Sequence, residues 1–271
     1  MKEKYQFLLS LKSLAFEINE LNLYSKADSV CYELLQEKLD QLSRFMICEH
    51  NLQQWSLWED HEEIRLHSGH LRETSVQALC DMEKYQSICT CNEELNISDY
   101  IGVLSGTVKQ EVEEFGIDGS SKVLFIGSGA FPLSALTIAK ETGAQVMCLD
   151  IDAEAVHLGK QIADASGLHA NVTFSGNTAG EQAFLREATH IIVASLVPNK
   201  LEVLAELKTV VNDDVQIAVR YGNGLKSIFN YPLEQDLSVE WNLTRITREH
   251  SIYDTVVLTP KRHPVTERQV Y

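Results

Sequence analysis

Breakers of regular structure are missing from the first part of this chain. No proline precedes Pro132, and glycine is almost absent before Gly102, in a sequence of 271 residues. A stretch so poor in turn formers excludes a hairpin-rich β fold there and suits a bundle of long helices. Positive charge is scarce as well. Lys and Arg number 23 against 39 Asp and Glu, a net charge of −16 with a sequence pI near 4.9. Phosphate binding needs a basic footprint, so nucleic acid and anionic membranes are poor partners. No apolar run approaches the length of about 18 residues that suggests a membrane span. The N-terminal stretch MKEKYQFLLSLKSLAFEINE lacks the cleavage-site pattern of a signal peptide, and a cytoplasmic location is expected. Cys31, Cys48, Cys80, Cys89, Cys91 and Cys148 are scattered, without a disulfide framework. Cys89-Thr-Cys91 has no second pair to complete a zinc site, and no metal is expected. His67 and His70 could share a helix face, but His61 points elsewhere, so a solvated face is the reading there.

What is present divides the chain in two. Leu8, Leu11, Leu14, Ile18 and Leu21 recur at helical spacing, and so do Leu35, Leu39, Leu42 and Met46. This helical part carries 21 acidic and 10 basic residues over positions 1–115, so most of the negative charge lies there. Phe115 to Ser121 reads as a junction. From Lys122 the pattern changes to short apolar runs alternating with helical segments.

The stretch Lys122 to Asp152 organises this second part. Lys122–Ile126 reads as a strand that ends on Gly127-Ser128-Gly129. Pro132 is placed to open a helix, Gly143 to stop it, and Gln145–Leu149 to form the next strand. Asp150 follows, 21 residues after Gly129. An acidic residue about 20 positions beyond a glycine turn is placed to accept hydrogen bonds from ribose hydroxyls. The third glycine of the dinucleotide fingerprint is replaced by Pro132, which counts against a nicotinamide dinucleotide. That leaves a ligand with an adenosine but no pyrophosphate, of which S-adenosylmethionine is the commonest. The plainer alternative is a doubly wound domain with an ordinary tight turn.

Strands are further expected at 171–174, 190–194 and 214–219, then near 238–245 and 252–258, with a helix at 199–210. The predicted fold class is α/β: a Rossmann-like, mostly parallel sheet that binds S-adenosylmethionine (117–271), preceded by an all-α bundle that forms a lid (1–116). Ligands on such sheets lie at the carboxyl ends of the strands. Gly127, Ser128, Gly129, Asp150, Ile151, Asp152, Asn177, Thr178, Ser195 and Leu196 collect at that edge as the cofactor-binding set. Asn177 is the candidate for the adenine edge, because an amide both donates and accepts; a simple turn asparagine is the alternative.

Taken together, GSGAFPLSALTIAKETGA, LDIDAEAV, HIIVASLV and IAVRYGNGLKSIFNYP resemble the nicotianamine synthase family in its own order, over about residues 118–235. Within it the chain looks like the short bacterial branch that makes staphylopine-type metallophores. The resemblance implies transfer of one 3-amino-3-carboxypropyl (2-aminobutanoyl) group from S-adenosylmethionine to the α-amine of histidine, D-histidine being favoured. 5′-Methylthioadenosine would be the second product. It also implies a glutamate and a tyrosine brought from the helical part, for which Glu83 and Tyr100 are the candidates. Arg220 could hold a substrate carboxylate or anchor the sheet end; Phe131, Tyr221 and Tyr5 are candidates for the pocket wall. Partners expected on these grounds are the small-molecule substrates, a homodimer, and a downstream opine dehydrogenase-type enzyme. No metal of its own is implied, since the product would be the chelator.

The chemistry sets its own demands. A sulfonium offers three carbons, and alignment decides which one reacts. The acceptor amine is mostly protonated at neutral pH, with an α-amino pKa of about 8, so a basic group must stand beside it. A class I small-molecule methyltransferase and a non-catalytic ligand-binding module are the competing readings.

Overall fold

The computed structural model describes residues 2–91, 99–175, 179–248 and 251–261. Among the described residues the first part is built of helices: α1 (Lys2–Ser25), α2 (Cys31–Ile47), α3 (Glu49–Trp58), α4 (Glu62–Cys91) and α5 (Asp99–Phe115). The leucine periodicity becomes the packed face. Phe7, Leu8, Leu11, Leu14 and Ile18 of α1 are buried against Leu35, Leu39, Leu42 and Met46 of α2 and Ile64, Leu71, Leu79 and Met82 of α4. Each such side chain contributes about 1.5–3 kcal/mol on leaving water.

The second part alternates as expected: β1 (Lys122–Ile126), α6 (Leu133–Thr142), β2 (Gln145–Leu149), α7 (Ala153–Ala165), β3 (Val172–Ser175), α8 (Ala179–Glu187), β4 (His190–Val193), α9 (Lys200–Lys208), β5 (Gln216–Tyr221), β6 (Trp241–Ile246) and β7 (Asp254–Pro260). The sheet order is β3-β2-β1-β4-β5-β7-β6. The five strands β1 to β5 are parallel, and β7 runs antiparallel between β5 and β6. Order reverses at β1, between β2 and β4, which is where such sheets open a ligand crevice.

Two features that differ from the sequence reading bear on the site. The fifth strand runs to Tyr221 instead of stopping at Val219. Arg220 therefore alternates with its neighbours inside the sheet, on the face of Ala218, while Tyr221 shares the opposite face with Ile217 and Val219. Second, α5 does not pack as a bundle helix along its C-terminal half. Val108, Val112 and Phe115 join the core formed by α6 and one face of the sheet. The helical core in turn takes in Leu225, Ile228, Phe229, Ile252 and Tyr253 from the second part. The helices and the sheet thus share hydrophobic core across the expected boundary at 116/117. Between β5 and β6 a short 3-10 helix, Gly224–Ile228, supplies part of that shared core.

Candidate active site

The glycine turn closes directly on β2. The N–H groups of Gly127 and Ser128 donate to the carbonyl of Leu149 at 2.8 and 3.2 Å. Both glycines have left-handed backbone, φ +78° and +70°. Each is also crowded: a Cβ on Gly127 would lie 2.6 Å from Val197, and one on Gly129 would lie 2.4 Å from Oε2 of Glu83. Conformation and close approach both require glycine here. Asp150 clamps the turn, its Oδ2 accepting from Gly129 N–H at 2.8 Å and its Oδ1 from Asp152 N–H at 3.0 Å. A carboxylate has about four lone-pair sites, so capacity for further donors remains.

Glu83 is delivered to this turn by α4. Its side chain is partly shielded from solvent. Burial first, then the negative charge of Asp150, pushes its carboxyl up to about 8, opposed by a hydrogen bond from the Ala130 backbone. Ser87, one helical turn on, places its hydroxyl 2.9 Å from the carbonyl of Glu83 and 2.7 Å from that of Ala130, tying α4 to the turn. Lys84 reaches past them to Asp152 at 2.7 Å and Glu154 at 2.6 Å, at the N-terminus of α7. Asp152 caps that helix by accepting from Glu154 N–H at 2.9 Å. Its hydrogen bond with Lys84 is the main reason its carboxyl sits below the usual range. Between the two acids, Ile151 is wholly exposed.

Across the crevice, Ser195 is buried just past β4. Its carbonyl accepts from Tyr231 N–H at 3.0 Å and from the Lys200 ammonium at 2.9 Å. Lys200 also donates to the carbonyl of Val197 at 2.6 Å and so braces the loop that presses on Gly127. Leu196 packs against the helical core. The edge therefore presents a ribose-type acceptor, a glycine-lined floor and a high-pKa carboxyl on a covering helix. That combination can seat an adenosine and remove a proton beside it.

A family model described as nicotianamine synthase protein matches residues 100–266. An L-histidine 2-aminobutanoyltransferase of Pseudomonas aeruginosa (strain UCBPP-PA14) is 38% identical over 258 residues, covering 95% of this chain and 98% of its own. Another, of Yersinia pestis, is 33% identical, covering 96% and 98%. The chain belongs to the nicotianamine synthase family. Solved structures agree with this at the level of fold. The complex of MtNAS with MTA and tNA has a TM-score of 0.78 at 16% identity, covering 93% of this chain and 97% of that one. A mutant of MtNAS in complex with S-adenosylmethionine has a TM-score of 0.74 at 15% identity, covering 91% and 97%.

In this family member the structure gathers Glu83, Gly127, Ser128, Gly129, Asp150, Ile151, Asp152, Ser195 and Leu196 along one edge. Tyr100 falls in the first turn of α5, and its side chain lies outside the described residues, as do Asn177 and Thr178. Phe131 is half-buried against the α6 side of the sheet core. The other aromatic candidates are placed differently from the expectation. Tyr221 is a core residue with Trp241 and Leu233, its hydroxyl accepting from Arg245 at 3.2 Å. Tyr5 stands half exposed on α1 beneath its neighbour Lys4. Of the two readings for Arg220, the geometry supports the anchor. Its Nε and Nη2 donate to Glu111 at 3.1 and 2.5 Å and its Nη1 to Ser134 at 2.9 Å, all buried, because the longer β5 turns the side chain inward. Sequence reasoning missed Lys84, Lys200 and Arg72. They sit in ordinary helical context, and only contacts made in the folded chain mark them: Asp152 and Glu154 for Lys84, the carbonyls of Ser195 and Val197 for Lys200, and the carbonyl of Ser227 for Arg72.

Proposed function

We propose that this protein transfers the 3-amino-3-carboxypropyl group of S-adenosylmethionine to the α-amine of histidine, releasing 5′-methylthioadenosine. The observation that carries the reading is the contact of Glu83 with the glycine turn: a carboxyl with a pKa of about 8 beside the floor of a nucleoside crevice. Asp150 accepts the ribose hydroxyls, and the exposed Ile151 supplies an apolar surface for the adenine. Asn177 and Thr178 complete the adenine end, and Tyr100 hydrogen-bonds a substrate from the lid. Phe131 borders the pocket.

The acceptor nitrogen attacks the γ-carbon of the methionine arm. The carbon–sulfur bond breaks, and its electron pair neutralises the sulfonium. The proton shed by the amine passes to Glu83, directly or through water. A cationic donor arriving beside Glu83 favours its ionised form, so the base is generated where it is used.

The relatives from Pseudomonas aeruginosa and Yersinia pestis are named for L-histidine, whereas the motif resemblance favours the D form. L-Histidine is accordingly the acceptor to test first, with D-histidine in parallel. We further read the product as an intermediate of a staphylopine-type metallophore, made in the cytoplasm by a homodimer without a metal of its own. Hand-over to an opine dehydrogenase-type enzyme follows from the same resemblance.

Incubation with S-adenosylmethionine and each histidine enantiomer, followed by mass spectrometry, tests the reaction. Methylthioadenosine and an aminobutanoyl-histidine are the expected products. S-Adenosylhomocysteine in their place would return the protein to the methyltransferases.

A further inference from the structure

Helix α4 crosses the carboxyl ends of the strands from one side of the crevice to the other. Its C-terminal half meets the glycine turn and α7 through Glu83, Ser87 and Lys84. Eleven residues earlier, Arg72 meets the opposite side, where its Nη1 donates to the carbonyl of Ser227 in the 3-10 helix at 3.3 Å. Eleven residues are close to three full turns, so Arg72 and Glu83 share a helix face about 16 Å apart.

The far end gathers two basic side chains in a protein whose net charge is −16. The Arg72 guanidinium lies 5.1 Å from the centre of the Tyr231 ring, and the Lys200 ammonium lies 5.7 Å from it. The Tyr231 hydroxyl donates to Glu73 at 2.7 Å, and Arg72 Nε pairs with the same carboxylate at 3.1 Å. Glu73 faces largely outward, while the side chain of Arg72 is only 22% exposed. Lys200 is held well below the usual lysine range, first by burial and then by the charge of Arg72. The Arg72 guanidinium and the Lys200 amine thus face one tyrosine ring from different elements, and an anion arriving beside them would favour the charged form of Lys200. A planar guanidinium at that point is suited to a carboxylate, which it can grip with two parallel hydrogen bonds.

We propose that Arg72, set by Tyr231 and Glu73 and backed by Lys200, binds the α-carboxylate of an amino-acid substrate at the end of the crevice opposite the adenosine. This gives the substrate carboxylate a partner that the buried Arg220 does not supply. It rests on the transfer reading for the two molecules that carry such a group, S-adenosylmethionine and histidine.

Calorimetric titration of the full chain tests it without needing turnover. The ligands are 5′-methylthioadenosine, S-adenosylmethionine, and L-histidine added to the protein saturated with methylthioadenosine. Methylthioadenosine has the nucleoside but no carboxylate, so it is the internal control. In R72M its Kd should stay within twofold of wild type, while that of S-adenosylmethionine or of histidine rises at least tenfold. Loss confined to S-adenosylmethionine places the donor's carboxylate at Arg72; loss confined to histidine places the acceptor's there. R72K, which keeps the charge without the fork, should fall between, and it carries the test if R72M does not fold. Unchanged Kd values for both amino-acid ligands overturn the proposal, and so does an equal loss of methylthioadenosine binding. Release of S-adenosylhomocysteine by the wild type would instead defeat the transfer reading, and the titrations would still stand.

Discussion

Glu83 titrates in an environment that opposes its charge, and two expectations follow at the scale of that residue. Its carboxyl is raised from 4.5 to about 8, chiefly by burial and next by Asp150. The folded protein therefore keeps a proton that the unfolded chain gives up between those values. The stabilisation this confers is complete below the unfolded pKa and is lost as pH rises through about 8. Thermal unfolding of wild type and E83Q from pH 4 to 9 should show a downward slope in the wild type that E83Q lacks. Parallel curves would remove Glu83 as the titrating group. In turnover, E83Q should lose about 10²- to 10⁴-fold in kcat, the range for a positioned base, with methylthioadenosine affinity nearly unchanged. Gly129→Ala attacks the same contact from the floor. It forces φ +70° on an L residue and drives a methyl to 2.4 Å from Glu83. A loss of about 1–3 kcal/mol in urea unfolding is expected, together with weaker nucleoside binding.

At the scale of elements, α4 is the bridge. Lys84 joins it to the cap of α7 through Asp152 and Glu154, both of which are substantially exposed. Solvent screening limits such pairs to about 0.2–1 kcal/mol each. A double-mutant cycle with K84M and D152A should return a coupling in that range that shrinks with added salt. A coupling of several kcal/mol would mean that the pair is shielded. The single D152A change should cost more than K84M, because it also removes the helix cap, worth about 1 kcal/mol. The sequence reading places Asp152 only in the cofactor-binding set, and its capping role comes from the structure. Lys84 carries no sequence signal either, since its partners lie 68 and 70 residues away and helical periodicity says nothing about them.

At the scale of the molecule, the helical and sheet parts are locked by a buried charge cluster. Glu111 of α5 receives Arg220 from β5 and Thr255 from β7, and Arg248 lies 3.7 Å from it. Removing one partner from such a cluster leaves an uncompensated buried charge. E111A should therefore cost about 3–5 kcal/mol in urea unfolding. Replacing Glu111 and Arg220 together by apolar residues of similar volume should recover most of it. A cost of E111A below about 1 kcal/mol would show that water reaches the cluster. The same cluster shows which of the two sequence readings of Arg220, ligand for a carboxylate or anchor of the sheet end, the fold selects. An arginine at a strand end is a reasonable ligand for a carboxylate, and two more residues of strand convert it into an interior anchor.

The alternation of short apolar runs with helical segments, the glycine turn and Asp150 were enough to specify a mostly parallel sheet and to single out the edge at the carboxyl ends of its strands. Those features act through neighbours a few residues apart, by φ preference and by period. The leucine spacing likewise specified the helical part, because a periodic apolar face must be buried somewhere. Tertiary structure alone decided what each face meets. It brought Glu83 within reach of Gly129, turned Arg220 inward and set Arg72 against Tyr231. Such contacts join residues 46, 109 and 159 positions apart, and their energies depend on burial and distance, neither of which a local pattern encodes.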